Sequence, residues 1–173
     1  MKKIAITGGI GTGKTYISRL FLQIGIPVFY ADEEAKKCYA EPDILKGLHS
    51  LFGDEVFTNG KVDFKKMSAF VFQDPEKREK VNALVHPKVM AWFDAWAEEQ
   101  GTTSVMMETA ILFENNLDRF FDMVIVVDAP IEVRIERIRK RNPELSEQEI
   151  LKRMEAQLPQ EEKCKRADMV IRN

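Results

Sequence analysis

Gly8-Gly9-Ile10-Gly11-Thr12-Gly13-Lys14-Thr15 is the stretch whose residue types and spacing point most directly to chemistry. It satisfies GxxxxGK[ST] in full, follows an apolar run and opens an amphipathic one. Glycines permit positive φ and let successive backbone N–H groups converge on phosphate oxygens at a helix N-terminus. Lys14 adds a point charge for β- and γ-phosphates, and Thr15 a hydroxyl for Mg²⁺. The expected nucleotide-binding residues are thus Gly9, Ile10, Gly11, Thr12, Gly13, Lys14, Thr15 and the adjoining Tyr16. An unliganded glycine turn would account for the glycines and leave Lys14-Thr15 without a reason.

Other residues offer partners for that chemistry. Asp32 follows the second apolar run, where a carboxylate can take the proton of an attacking hydroxyl; it also suits the N-cap of the helix that follows. Glu108 ends a third run, where it either holds a Mg²⁺-bound water or faces solvent. Arg134, Arg137 and Arg141 fall at i, i+3 and i+7, within five basic residues in the eight from 134 to 141. They form either a solvated helix face or a lid whose guanidinium forks neutralise phosphate charge, with Arg137 and Arg141 the favoured pair and Arg153 a weaker third. Glu114 either serves an acceptor or orients basic neighbours, and His86 alone reads as a helix cap or a packed side chain.

The elements that must position these residues show in the hydrophobic pattern. Strands are expected at Lys3–Thr7, Ile26–Tyr30, Ser104–Glu108, Met123–Asp128 and Asp168–Arg172. Near-continuous runs such as Met123–Val127 are the mark of parallel strands buried on both faces. Helices are expected at Gly13–Gln23, Glu33–Ala40, Asp43–Leu51, Asp63–Phe72, Glu76–Glu98, Ile131–Arg141 and Glu147–Gln157. The alternation predicts an α/β three-layer fold with a five-stranded parallel sheet. The core is expected at about 1–31, 101–138 and 159–173, with a helical, strand-free insertion at about 32–100. A charged segment at about 139–158 reads as a lid. Pro87 is expected to end or kink the long helix of the insertion. Ser146–Glu149 is a capping box, and Trp92, Phe93 and Trp96 form a core stripe.

Composition removes several classes. The chain has 173 residues and a net charge of −2, which argues against a general nucleic-acid binder. It carries no apolar run long enough for a membrane span and no signal-peptide pattern, so a cytoplasmic location is expected. Two cysteines, Cys38 and Cys164, with no CxxC and only two histidines leave no zinc or disulfide framework. The base-reading NKxD and DxxG strings of GTPases do not occur. A compact chain with a helical insertion after strand 2 and an arginine segment after strand 4 fits a small-molecule kinase, the insertion binding the acceptor.

The ordered set ITGGIGTGKT, GIPVFYAD, VHP, ILFE, RIERIRKR and ADMVIRN, spanning Ile4 to Asn173, resembles the dephospho-coenzyme A kinases. That resemblance implies a P-loop kinase of adenylate-kinase-like fold that phosphorylates the ribose 3′-hydroxyl of dephospho-CoA with ATP and Mg²⁺. It implies Asp32 as base, His86 and Glu114 on the acceptor side, and Asn173 on the nucleotide side. Lys14 and Arg137 join Asp32 in the catalytic set, Thr15 and Glu108 (through water) serve the metal, and Arg141 joins the nucleotide contacts. Three positions depart from the family pattern: Tyr30 stands for an Asp, Phe64 follows Asp63 where Arg is usual, and Arg134 replaces a Gln. Relatives continue past the position of Asn173 with a turn and a helix, so the chain looks trimmed there. A monomer is the first expectation and an oligomer the second. The competing expectations are another P-loop kinase of small molecules or nucleotides, or a nucleotide sensor without turnover.

Overall fold

The computed structural model describes the backbone of residues 1–173 and every side chain except those of Phe72 and Gln73. The chain divides into two compact units, Met1–Tyr30 with Glu99–Asn173, and Ala31–Glu98.

The first unit is built on β1 (Lys2–Thr7), β2 (Val28–Tyr30), β5 (Ser104–Glu108), β6 (Met123–Asp128) and β7 (Met169–Arg172). They form one parallel sheet in the order β2-β5-β1-β6-β7. Two separate apolar clusters show why β1 reads as a continuous apolar run. Ile4 and Ile6 pack with Ile17, Met106, Ile125 and Val127 on one face. Ala5 packs with Leu112, Phe113, Val124 and Val126 on the other. Helix α1 (Lys14–Gln23) supplies Ile17. Helix α8 (Gln160–Arg166) brings Cys164 against the second cluster. Between them in sequence lie α6 (Ile131–Arg141) and α7 (Glu147–Glu155), the latter opened by the expected capping box of Ser146 and Glu149.

β2 is shorter than expected because Pro27 has no N–H to give the ladder, although its carbonyl still accepts from Met106. Helix α8 escapes a pattern search because its only apolar residue is Cys164. Pro159 at its start, Glu161 and Glu162 in its first turn and basic residues in its last were the available signals.

The second unit contains α2 (Ala31–Cys38), α3 (Pro42–Phe52), α4 (Phe64–Gln73) and α5 (Pro75–Glu99). It also holds a strand pair that the helical expectation omitted: β3 (Phe57–Thr58) and β4 (Lys61–Val62) pair antiparallel. Asn59 (φ 52°) and Gly60 (φ 73°) make the two-residue turn between them, and both need the left-handed region that Asn-Gly adopts readily. Asp63 then caps α4 by accepting from the N–H groups of Lys65 and Lys66.

Pro87 does not end α5, which runs unbroken over 25 residues. The buried stripe Val81, Val85, Val89, Phe93 and Ala97 holds the helical register on both sides of the lost hydrogen bond, so packing overrides the local penalty. Phe93 is fully buried and stacks on Trp96 at 6.0 Å, as a core stripe should. Burial pushes the Cys38 thiol up to about 11, which suits a structural thiol.

Candidate active site

The glycine loop hands β1 to α1. Gly13 (φ 92°) stands immediately before the helix, and its carbonyl accepts from Tyr16 and Ile17 to start the helical ladder. A Cβ at Gly13 would sit 2.2 Å from the Asn173 amide nitrogen, and one at Gly11 2.7 Å from the Arg134 carbonyl oxygen. Both positions therefore require glycine on conformation and on space.

Loop N–H groups divide into two sets. Gly9 donates to Gln160 Oε1 and Ile10 to Gln157 Oε1, each at 2.8 Å, and Thr12 donates back to the Gly9 carbonyl. The amides of Gly11, Gly13 and Thr15 donate to no protein acceptor among the described residues. Gly11, Gly13, Lys14 and Thr15 line a cavity of about 220 Å³, closed on its other side by Arg137, Ile138 and Arg141 of α6. Free amides, an ammonium and two guanidinium groups around one hollow make a strong anion site.

Helix α6 grips the loop from outside. Arg134 is buried and donates from Nε to the Ile10 carbonyl. Burial pushes its guanidinium below its ordinary value, with Asp128 opposing. Arg137 donates to the Thr12 carbonyl at 3.1 Å, and Asn173 Nδ2 to the same oxygen at 2.9 Å. The solvated-face reading therefore fails for Arg134 and Arg137. It holds for Lys140, paired with Glu136, and for Arg139, paired with Glu147.

Glu108 does not face solvent. It is buried, and it accepts from Thr15 Oγ1 at 2.7 Å and from Ser18 Oγ at 2.8 Å. A hydroxyl and a carboxylate at the edge of an anion cavity are the hard oxygen donors that Mg²⁺ prefers, so these residues fit that ion. Among the described residues no cluster of three His, Cys, Asp or Glu side chains could hold a metal by itself.

Glu114 orients a basic neighbour, one of the two roles its position allowed. Its Oε1 accepts from the Leu158 N–H at 2.9 Å and pairs with the fully buried Lys163 at 2.6 Å, which also donates to the Ala110 carbonyl. Its Oε2 is buried without a hydrogen-bond partner among the described residues.

Asp32 and His86 belong to the second unit. β2 ends at Tyr30 and α2 begins at Ala31, so Asp32 is in the first helical turn instead of capping it. It is exposed there. His86 is half-buried within α5, and burial pushes its imidazole below the ordinary value. It is therefore neutral at neutral pH, with one donor and one acceptor nitrogen.

Three functional side chains had no motif to announce them. Ser18 lies one turn beyond Thr15 on α1, the only local hint of its bond to Glu108. Gln157 and Gln160 come from more than 140 positions away in sequence, and no local pattern could announce them. Replacing either glutamine with leucine strands a loop amide at a cost of roughly 1–3 kcal/mol. The expected outcome is a several-fold rise in the KM for ATP, with Gln157→Glu recovering most of its share because the acceptor oxygen returns, whereas Gln160 also donates to the Val127 carbonyl. Steady-state kinetics beside melting curves would read this, and equal losses in the Leu and Glu variants would refute it.

The sequence profile of the dephospho-CoA kinase family matches residues 2–173. This chain belongs to that family. A dephospho-CoA kinase of Bacteroides fragilis is 40% identical over 173 residues, covering 99% of this chain and 84% of its own length. The crystal structure of TT1252 from Thermus thermophilus superposes with a TM-score of 0.90 at 34% identity, over 99% of this chain and 88% of that one. A dephospho-CoA kinase from Campylobacter jejuni gives 0.65 at 26% identity, over 99% and 87%. The fold is thus that of the α/β P-loop kinases, and the family's reaction is the last step of coenzyme A synthesis. Among the described residues no helix is long and apolar enough to cross a membrane.

Proposed function

We propose that this protein transfers the γ-phosphoryl group of ATP to the ribose 3′-hydroxyl of dephospho-CoA. The observation that carries this reading is the 220 Å³ cavity in which unsatisfied loop amides meet Lys14, Arg137 and Arg141. Family membership supplies the acceptor.

In this reading the loop from Gly9 to Tyr16, with Arg137, Arg141 and Asn173, binds ATP. Lys14 and the two arginines offset charge on the transferring group and the β-phosphate. Thr15, and Glu108 through a water, would hold Mg²⁺, which would supply charge neutralisation to the phosphates when bound. Asp32 accepts the hydroxyl proton as the new P–O bond forms and the bond to ADP breaks. His86 hydrogen-bonds the acceptor, and Glu114 serves the same side through the frame it makes with Lys163 and the Leu158 N–H. The segment at about 139–158 closes as a lid, excluding water that would otherwise take the phosphoryl group. The enzyme acts on these two small molecules.

A coupled assay of ADP release across an acceptor panel tests the reading. Dephospho-CoA should support turnover at least about a hundredfold above nucleoside monophosphates, a margin of roughly 2.7 kcal/mol. Preference for a monophosphate would reassign the substrate. ATP binding without transfer to any acceptor would make the protein a sensor.

A further inference from the structure

Within the second unit lies a cavity of about 420 Å³ that no nucleotide-handling residue lines. Its size is that of a small-molecule site. Leu45, Val62 and Phe64 give it an apolar wall, and Tyr39 meets the Phe64 ring edge-to-face at 5.2 Å. Phe64 is left 42% exposed, a large apolar surface at a position where a soluble chain has no structural need for it. Burial raises the Tyr39 phenol to about 12, so it stays a neutral hydrogen-bond donor.

Two lysines, Lys36 and Lys61, stand on the rim. Neither has a carboxylate partner among the described residues, whereas Lys37 pairs with Glu34 and Lys88 with Glu41 and Asp43 in the same unit. An apolar hollow with two unpaired cations at its mouth fits a ligand with an uncharged arm and an anionic joint.

Helix α2 orders these features relative to Asp32. Asp32 and Lys36 are at i and i+4, hence on one face with Lys36 about 6 Å farther along the axis, and Tyr39 follows directly after the helix ends at Cys38. Dephospho-CoA has the same sequence of chemistry from its reacting hydroxyl outward: ribose, diphosphate, then an amide-bearing aliphatic arm.

We propose that this cavity takes the pantetheine arm of dephospho-CoA, with Lys36 and Lys61 meeting the diphosphate at its mouth. The inference rests on the reading of Asp32 as the acceptor-side base.

Calorimetric titration of the full chain with dephospho-CoA tests it, using Ala40→Trp to fill the cavity from an exposed wall position. The Kd should rise about tenfold or more, equal to ~1.4 kcal/mol, while the Kd for ATP and the melting temperature stay put. Lys36→Ala with Lys61→Ala should weaken dephospho-CoA binding further at low than at high salt. As a second probe, 4′-phosphopantetheine, which carries the arm and a phosphate but no nucleoside, should bind the unaltered chain and be lost in Ala40→Trp. A dephospho-CoA Kd within twofold of the unaltered chain in Ala40→Trp would overturn the proposal. The kinase assay is read separately. Selective loss of binding in Ala40→Trp without any phosphoryl transfer would leave the pocket in place and remove the catalytic reading.

Discussion

Asp32→Asn should lower kcat by roughly 10²–10⁴ while leaving the affinity for ATP unchanged. Asparagine keeps the shape and hydrogen-bonding reach of the side chain but cannot accept the hydroxyl proton. In the first turn of α2 an acidic side chain complements the helix dipole. Glu33 and Glu34 occupy the same turn and continue to complement the dipole, so the substitution should barely move the melting temperature. That separates the catalytic loss from a folding loss. Glu33→Gln is the matched control and should leave kcat within about twofold, as exposed helix-end charges contribute only ~0.3–1 kcal/mol. Rapid-quench measurement of the first turnover would locate the defect in chemistry. An undiminished rate would reduce Asp32 to a helix-end residue.

How far such roles can be read before a structure exists depends on whether they are local. The phosphate loop is legible because its glycines, Lys14 and Thr15 are contiguous and each answers to one requirement of phosphate binding. The sheet is legible for a related reason: β1, β5 and β6 are buried on both faces, and only uninterrupted apolar runs satisfy that. Arg137 was within reach because helical spacing puts it beside Arg134 and Arg141, although spacing could not say which arginine would be buried. Gln157 and Gln160 were out of reach. A neutral side chain that accepts one backbone N–H from a distant loop leaves no trace in periodicity, charge or spacing. The β3–β4 pair was missed for a different reason. Two-residue strands carry no alternation, and only the Asn59-Gly60 turn marks them. Pro87 shows the opposite failure: its local signal is strong, and the five-residue buried stripe of α5 overrules it.

The loop is held from two sides. Arg134, Arg137 and Asn173 take its carbonyls at Ile10 and Thr12, while Gln157 and Gln160 take its amides at Ile10 and Gly9. The groups left over, at Gly11, Gly13 and Thr15, are those that face the cavity. Preorganisation of this kind means the loop need not be ordered at the expense of binding energy when the nucleotide arrives. It also explains why Arg137 has a double duty, since a guanidinium fixed on Thr12 keeps its remaining N–H groups aimed in a constant direction.

That fixed surround makes Lys14→Ala the other severe substitution. Lys14 is the first residue of α1, so its backbone N–H stays at the helix N-terminus whatever the side chain, and alanine is a good helix former. Stability should hold. What is lost is the compact ammonium on the cavity wall, a charge that offsets the one developing toward the β–γ bridge. Arg137 cannot substitute, because it is tied to the Thr12 carbonyl. The Kd for ATP should therefore rise about tenfold or more, and kcat should fall by roughly 10²–10³, the range for removing one preorganised charge partner. Lys14→Arg should rescue little: a planar fork does not reproduce a compact ammonium in a cavity of 220 Å³ that two guanidinium groups already line. Titration with a non-hydrolysable ATP analogue beside single-turnover kinetics separates the two effects. Weakened binding with intact single-turnover chemistry would confine Lys14 to holding the ground-state nucleotide.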